Sequence, residues 1–279
     1  MNKATRASAG APPASAGRPP RRELLLPMLE GTKRSIVPIR REFIQKPRGT
    51  SGSRGSILSQ LARDESALDA YLLLHALASS SEPYSAEYPA PTWTQLARLD
   101  EAATFDAARS RWSKVVSKLV ALNVIERKRK GNTMDYRLLH ESGSGEPYTR
   151  PKKTADGHWL RLPHSYWLDD YDAALSQPEK LMLLIALDLG DSFVLPFNQS
   201  AAWYGISEAT ARRGLRGLEE RGLLSKTSSR VVSPRSPTGW MDEFRYTREG
   251  AFSASAVEAA AKASRRGKGK VGFSEEDAS

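Results

Sequence analysis

Thr210, Arg212, Arg213 and Arg216 set one hydroxyl and three guanidinium groups close together, in a stretch whose remaining positions are apolar at helical intervals. A guanidinium is a planar fork of donors that can satisfy both acceptors of a guanine edge or grip a phosphate, so such a cluster offers nucleic-acid recognition. An arginine face on a helix can equally be a solvated surface, and these four residues alone do not separate the two. Earlier in the chain Arg109, Arg111, Lys114 and Lys118 alternate with Ser113 and Ser117. Each group is followed by more cations in an extended pattern, Lys128, Arg129 and Lys130 after the first, Arg230 and Arg235 after the second. Together these are the candidate contacts to double-stranded DNA.

Catalytic arrangements are weaker. His158 and Arg161 have the H-x-x-R spacing of tyrosine recombinases, but they sit in a strand-like segment with no matching second arginine or nucleophilic tyrosine. His75, His140, His158 and His164 include no pair flanking a single apolar residue, as a rolling-circle nickase would need. His75 lies among leucines and reads as a packed core residue. No P-loop, G-x-G-x-x-G or H-E-x-x-H is present. Asp169, Asp170 and Asp172 read as a solvated loop or helix cap, with no second carboxylate cluster to complete a divalent-ion site. The expectation is a protein that is not an enzyme, with no metal and no cofactor.

The elements that must position the arginines follow from periodicity. Ala211, Leu215 and Leu218 fall on one helical face. Ser207 is a good N-cap with Glu208 behind it, and Gly222 supplies a left-handed stop. Upstream, 198–203 predicts a short helix and Tyr204-Gly205-Ile206 a tight turn; downstream, SKTSSRVV and WMDEFRYTR flank the turn-rich SPRSPTG, which predicts a hairpin. The first half predicts a helix over 64–78, another over 104–122 with Trp112, Val115, Val116, Leu119 and Leu122 inward, and a hairpin around Gly131-Asn132. Ser176 and Glu179 form a capping box before KLMLLIALDL.

Residues 176–248 resemble a winged helix-turn-helix domain, the run GIS-EAT-ARRGLRGLEERGLL being similar to the equivalent segment of many bacterial regulators. The two halves also resemble each other. VSKLVALNVIER at 116–127 aligns with LRGLEERGLLSK at 215–226, setting Asn123 opposite Gly222, and IVPIRREFI at 36–44 echoes LRLPHSYWL at 160–168. The expected fold class is therefore mainly α with small β-hairpin wings (α+β), as tandem winged helix-turn-helix domains behind a disordered basic N-terminal arm. The divisions are 1–34 for the arm, 35–141 for the first domain, 142–157 for a linker giving the modules some freedom, 158–253 for the second domain, and 254–279 for a weak helix and charged tail. Residues 47–57 read as a further flexible linker.

Composition bounds the function. The net charge of +10 points to polyanionic partners. Thirteen Lys/Arg against three acids in residues 1–63 carry it, so the remaining body is close to neutral with its cations gathered locally. The absence of cysteine excludes disulfides and thiolate zinc sites, and no apolar run approaches the roughly 20 residues that span a bilayer. The expected function is sequence-specific binding of double-stranded DNA in transcription regulation, with a plasmid or phage replication initiator as the alternative on DNA. The alternative of another class is a winged-helix protein-interaction module in a larger assembly. A cytoplasmic, nucleoid-associated location, no membrane partner and an open question of homodimerisation complete the expectations.

Overall fold

The computed structural model describes residues 17–266 apart from Ala102, 153–157 and Arg235. The expected tail beyond 266, the first sixteen residues of the arm and the last five of the 142–157 linker lie outside the described residues.

The first half runs α1 (Arg21–Gly31), β1 (Ile36–Arg40), α2 (Arg41–Ile44), α3 (Ile57–Leu61), α4 (Glu65–Leu77), β2 (Ser85–Tyr88), α5 (Ala90–Leu96), α6 (Phe105–Ala121), β3 (Ile125–Lys130) and β4 (Thr133–Leu138). The second runs β5 (Trp159–Pro163), α7 (Ser165–Leu168), α8 (Tyr171–Ala174), α9 (Gln177–Leu189), β6 (Ser192–Val194), α10 (Ser200–Tyr204), α11 (Glu208–Glu220), β7 (Leu224–Val232), β8 (Trp240–Arg248) and α12 (Ala254–Arg266). Each half has a three-stranded antiparallel sheet of the same order, β2-β4-β3 and β6-β8-β7.

The expectation of a mainly α chain is corrected: about 47% of the described residues are helical and 21% strand, an α+β mixture with three small sheets. The extra strands are the ones without a local signal. β2 lies between Pro83 and Pro89, and β6 is three residues long, so each exists only because a hairpin offers it an edge.

The third sheet joins the halves. β1 and β5, the two segments that echo each other in sequence, pair antiparallel, with Val37 opposite Leu162 and Pro38 opposite Arg161. In the repeat alignment Leu162 is the counterpart of Pro38, and Arg161 of Val37. Each strand thus pairs with the other's equivalent about a local two-fold axis. Around this ladder Lys180 of α9, its side chain only 1% exposed, places Nζ 2.7 Å from both Glu65 and Asp69 of α4. Burial pushes the Asp69 carboxyl up to about 7, against the pull of Lys180. Arg41 meets Asp188 at 3.0 Å, and Gln177 donates to the Leu61 carbonyl at 2.9 Å. With both charges and backbone paired across the join, the halves have no room for the freedom that the linker composition suggested.

Over its described residues, 17–34, the expectation of a disordered basic arm is likewise corrected. α1 buries Leu25 and Leu29, Arg21 donates to the Leu96 carbonyl at 2.8 Å and pairs with Asp172, and Arg22 bonds the Leu168 carbonyl. One apolar stripe and two arginines therefore strap the N-terminal helix across both halves. α12 closes the other side, where Val257 and Ala261 are buried and Glu258 accepts from Arg161 of β5 at 2.8 Å.

Candidate nucleic-acid interface

α11 forms as its caps dictate. Ser207 Oγ accepts the Thr210 amide at 3.1 Å, and Gly222 takes φ +67° just beyond the C-terminus. Ala211, Leu215 and Leu218 are buried, and so is Gly214. A Cβ on Gly214 would stand 2.2 Å from the Pro178 carbonyl oxygen, and one on Gly217 2.2 Å from Glu179 Oε1. Glycine in a helix interior costs about 1 kcal/mol relative to alanine. Here both glycines let α11 settle directly on the N-terminal turn of α9, where Glu179 accepts the Ser176 amide at 2.6 Å and Arg221 at 2.8 Å.

At about 100° per residue, Arg213 and Arg216 lie opposite the buried stripe, with Arg212 at the border and Thr210 about a quarter turn away on the other flank. All three arginines are exposed. Their engagements differ. Arg212 is held 2.7 Å from Glu208 and stacks 4.1 Å over the Phe197 ring, so its fork is already occupied. Arg216 stands 3.7 Å from Glu220 with both side chains in solvent. Among the described residues no acid pairs with Arg213, which makes it the side chain of the cluster most available to an incoming partner.

On α6, Thr104 caps the helix by accepting the Ala107 amide at 3.3 Å, and Trp112, Val115, Val116 and Leu119 are buried. Arg111, Lys114 and Lys118 share one stripe, but Arg109 lies about 160° around the helix from Arg111, so the four do not form a single face. Lys118 is drawn to Asp64, the N-cap of α4, at 2.7 Å. Its role is to join two helices. Lys114 and Arg111 remain exposed.

The hairpins differ too. β3 and β4 meet at Gly131-Asn132, with Lys128, Arg129 and Lys130 exposed near the tip. Lys130 is 2.7 Å from Glu87 of β2, and this contact holds the Glu87 carboxyl below its usual range. β7 and β8 are longer. Arg230 is exposed opposite Asp242, and Arg235 lies outside the described residues. The far end of this hairpin exposes the apolar residues Val232, Trp240 and Met241. A groove between α11 and the β7–β8 hairpin is lined by Arg212, Arg213, Lys226, Phe244 and Tyr246, with Lys226 Nζ 4.2 Å from the Phe244 ring centre.

The enzymatic candidates resolve into structure. His158 lies 3.7 Å from Asp188 and Arg161 pairs with Glu258, while Asp170 and Asp172 pair with Arg98 and Arg21. His75 is fully buried, and desolvation, helped by Arg34 and Arg40, lowers its pKa to about 3. Among the described residues no three His, Asp or Glu side chains converge to hold a metal ion, and no helix is long and apolar enough to cross a membrane.

Lys46, Arg48 and Arg54 are not among the cations that the sequence singles out, and Arg48 and Arg54 lie within the 47–57 stretch that reads as a linker. The signal was available, since no acidic residue occurs between Glu42 and Asp64. Compared with protein-family models, curated proteins and solved structures, the chain matches none.

Proposed function

We propose that the protein is a sequence-specific double-stranded DNA-binding protein that acts by occupying its site and not by catalysis, in transcription regulation within the cytoplasm. The observation that carries the reading is the outward arc of α11, where Arg213 and Arg216 project from a helix packed down on α9 by two glycines. A helix so held, with forked donors outward and a hairpin beside it, suits a major groove. The resemblance of residues 176–248 to winged helix-turn-helix domains supports the same reading. The repeated order of elements in the first half supports a second, weaker reader built on α6 and the β3–β4 hairpin. Because β1 and β5 relate the halves by a local two-fold axis, one chain would cover two half-sites of opposite sense and different sequence.

Binding to duplex DNA across a salt series tests the proposal. About eight phosphate contacts give a slope near −7 in log K against log salt. An affinity that stays flat from low to physiological salt overturns it.

A further inference from the structure

The segment 46–55 connects α2 to α3 in the first half, yet the second half holds it. The Arg54 amide donates to the Ala202 carbonyl at 2.8 Å, Ser53 Oγ to the Ala201 carbonyl at 2.7 Å, and Gln45 Nε2, at the segment's entry, to the Trp203 carbonyl at 2.8 Å. These acceptors sit in the last turn of α10; the Ala201 carbonyl also accepts the Gly205 amide at 3.0 Å, while those of Ala202 and Trp203 lie where helical carbonyls lack intrahelical partners. Beside them Gly55 meets Gly205 backbone to backbone, since a Cβ on Gly55 would come within 2.8 Å of Gly205 Cα. Gly205 is the turn that leads into α11. A stretch whose composition reads as a flexible linker is therefore fastened against the entrance of the recognition helix.

From this base Lys46 and Arg48 project into solvent, and Arg54 is half-buried. Together with Arg41 and the edge of Trp203 they line a groove in which Glu42 is the carboxylate. Arg41 is engaged by Asp188, and no acid pairs with Lys46, Arg48 or Arg54 among the described residues. Lys46, Arg48 and Arg54 against the carboxylate of Glu42 leave the groove with a net positive charge on a fixed base, which attracts a polyanion.

We propose that Lys46, Arg48 and Arg54 form a phosphate clamp that grips the DNA backbone beside the turn into α11. This rests on the DNA-binding reading above and extends it to a segment outside either recognition helix. The clamp contacts backbone and not bases, so it raises affinity for every sequence alike.

The test compares the full chain with an Arg48→Ala/Arg54→Ala variant on a selected duplex and on a random duplex, over a salt series. The expected result is a slope shallower by about 2, with selected and random duplex weakened by the same factor and the thermal midpoint unchanged. Arg48→Lys/Arg54→Lys retains the wild-type slope, and Arg48→Ala alone lowers it by about 1. Loop variants that bind with the wild-type slope, while Arg213→Ala loses affinity, overturn the clamp and leave the DNA-binding reading standing. A wild-type chain that binds neither duplex at low salt overturns both.

Discussion

α6 and α11 occupy the same place in the two halves, but their two faces are built in opposite ways. In the register that sets Val116 against Leu215, Trp112 and Val115 of α6 correspond to Ala211 and Gly214 of α11. The large residues of α6 fill an aromatic interior, where Trp112 stacks on Trp93 at 5.3 Å and donates to the Tyr136 hydroxyl at 2.9 Å. The small residues of α11 instead bring it against the backbone of α9. Outward, Ser113, Lys114 and Ser117 stand where α11 carries Arg212, Arg213 and Arg216. One helix is anchored by bulk and presents hydroxyls with a point charge; the other is anchored by close approach and presents guanidinium forks. Anchoring and outward chemistry are thus separable on a common frame, and under the proposed function it is the second half that is suited to base recognition.

The strongest way to break the comparison is to give α11 the packing of α6. Gly214→Val should destabilise the protein by about 3 kcal/mol in urea unfolding, because the new side chain meets the Pro178 carbonyl and Met182 with no space to yield. A loss below about 1 kcal/mol would mean that α11 can move off α9 and that close approach is not its anchor.

A second difference concerns acid. His75 on α4 corresponds to Leu187 on α9, so the first half carries a buried imidazole where the second is apolar. Its native pKa of about 3 lies below the unfolded value near 6.5. Protons then bind the unfolded chain preferentially, so the contribution is fully present above pH 6.5 and is lost as the pH falls toward 3. Between pH 7 and pH 5 this one group should remove about 2 kcal/mol of stability. His75→Leu should reduce the pH dependence over that interval by the same amount, measured by urea unfolding at the two pH values.

Base reading provides a third test. Arg213→Ala should relax preference at one or more positions by about 1–3 kcal/mol in site selection from random duplexes. Lys114→Ala, at the equivalent position, should weaken all sequences alike. Retention of the wild-type site by Arg213→Ala together with its loss by Lys114→Ala would reverse the roles of the halves.

The smallest effect belongs to Lys118. Its pairing with Asp64 is partly exposed, so Lys118→Ala should change stability by less than about 1 kcal/mol and leave the salt slope of DNA binding unchanged. A slope shallower by about 1 would return Lys118 to the DNA-facing stripe of α6.

Much of α11 was legible in the sequence because its determinants are local. A serine N-cap, apolar residues at helical spacing and a glycine stop act within a few turns, and the structure starts the helix at Glu208 with Gly222 in the left-handed region. The helix over 64–78 and the Gly131-Asn132 hairpin follow from equally local patterns and appear as α4 and the β3–β4 turn. Periodicity also identified the exposed arginines, but it could not show that Glu208 and Phe197 occupy Arg212 while Arg213 stands open. Nor could it show that Lys118 reaches Asp64, since that contact depends on how α6 crosses α4.

What tertiary structure alone decided lies where distant segments meet. The echo of 36–44 in 160–168 was visible as a repeat, but that the two copies would pair with each other, and so impose a two-fold relation, depends on hydrogen bonds between strands more than a hundred residues apart. Polar, glycine-rich composition in 47–57 and basic composition before residue 35 both read as freedom, because neither segment carries enough apolar surface to order itself. Each is ordered by its neighbours: the first by the carbonyls at the end of α10, the second by Leu25, Leu29 and two arginines set across both halves. Composition describes what a segment can do alone, and here the ordering energy came from surfaces contributed by the rest of the chain.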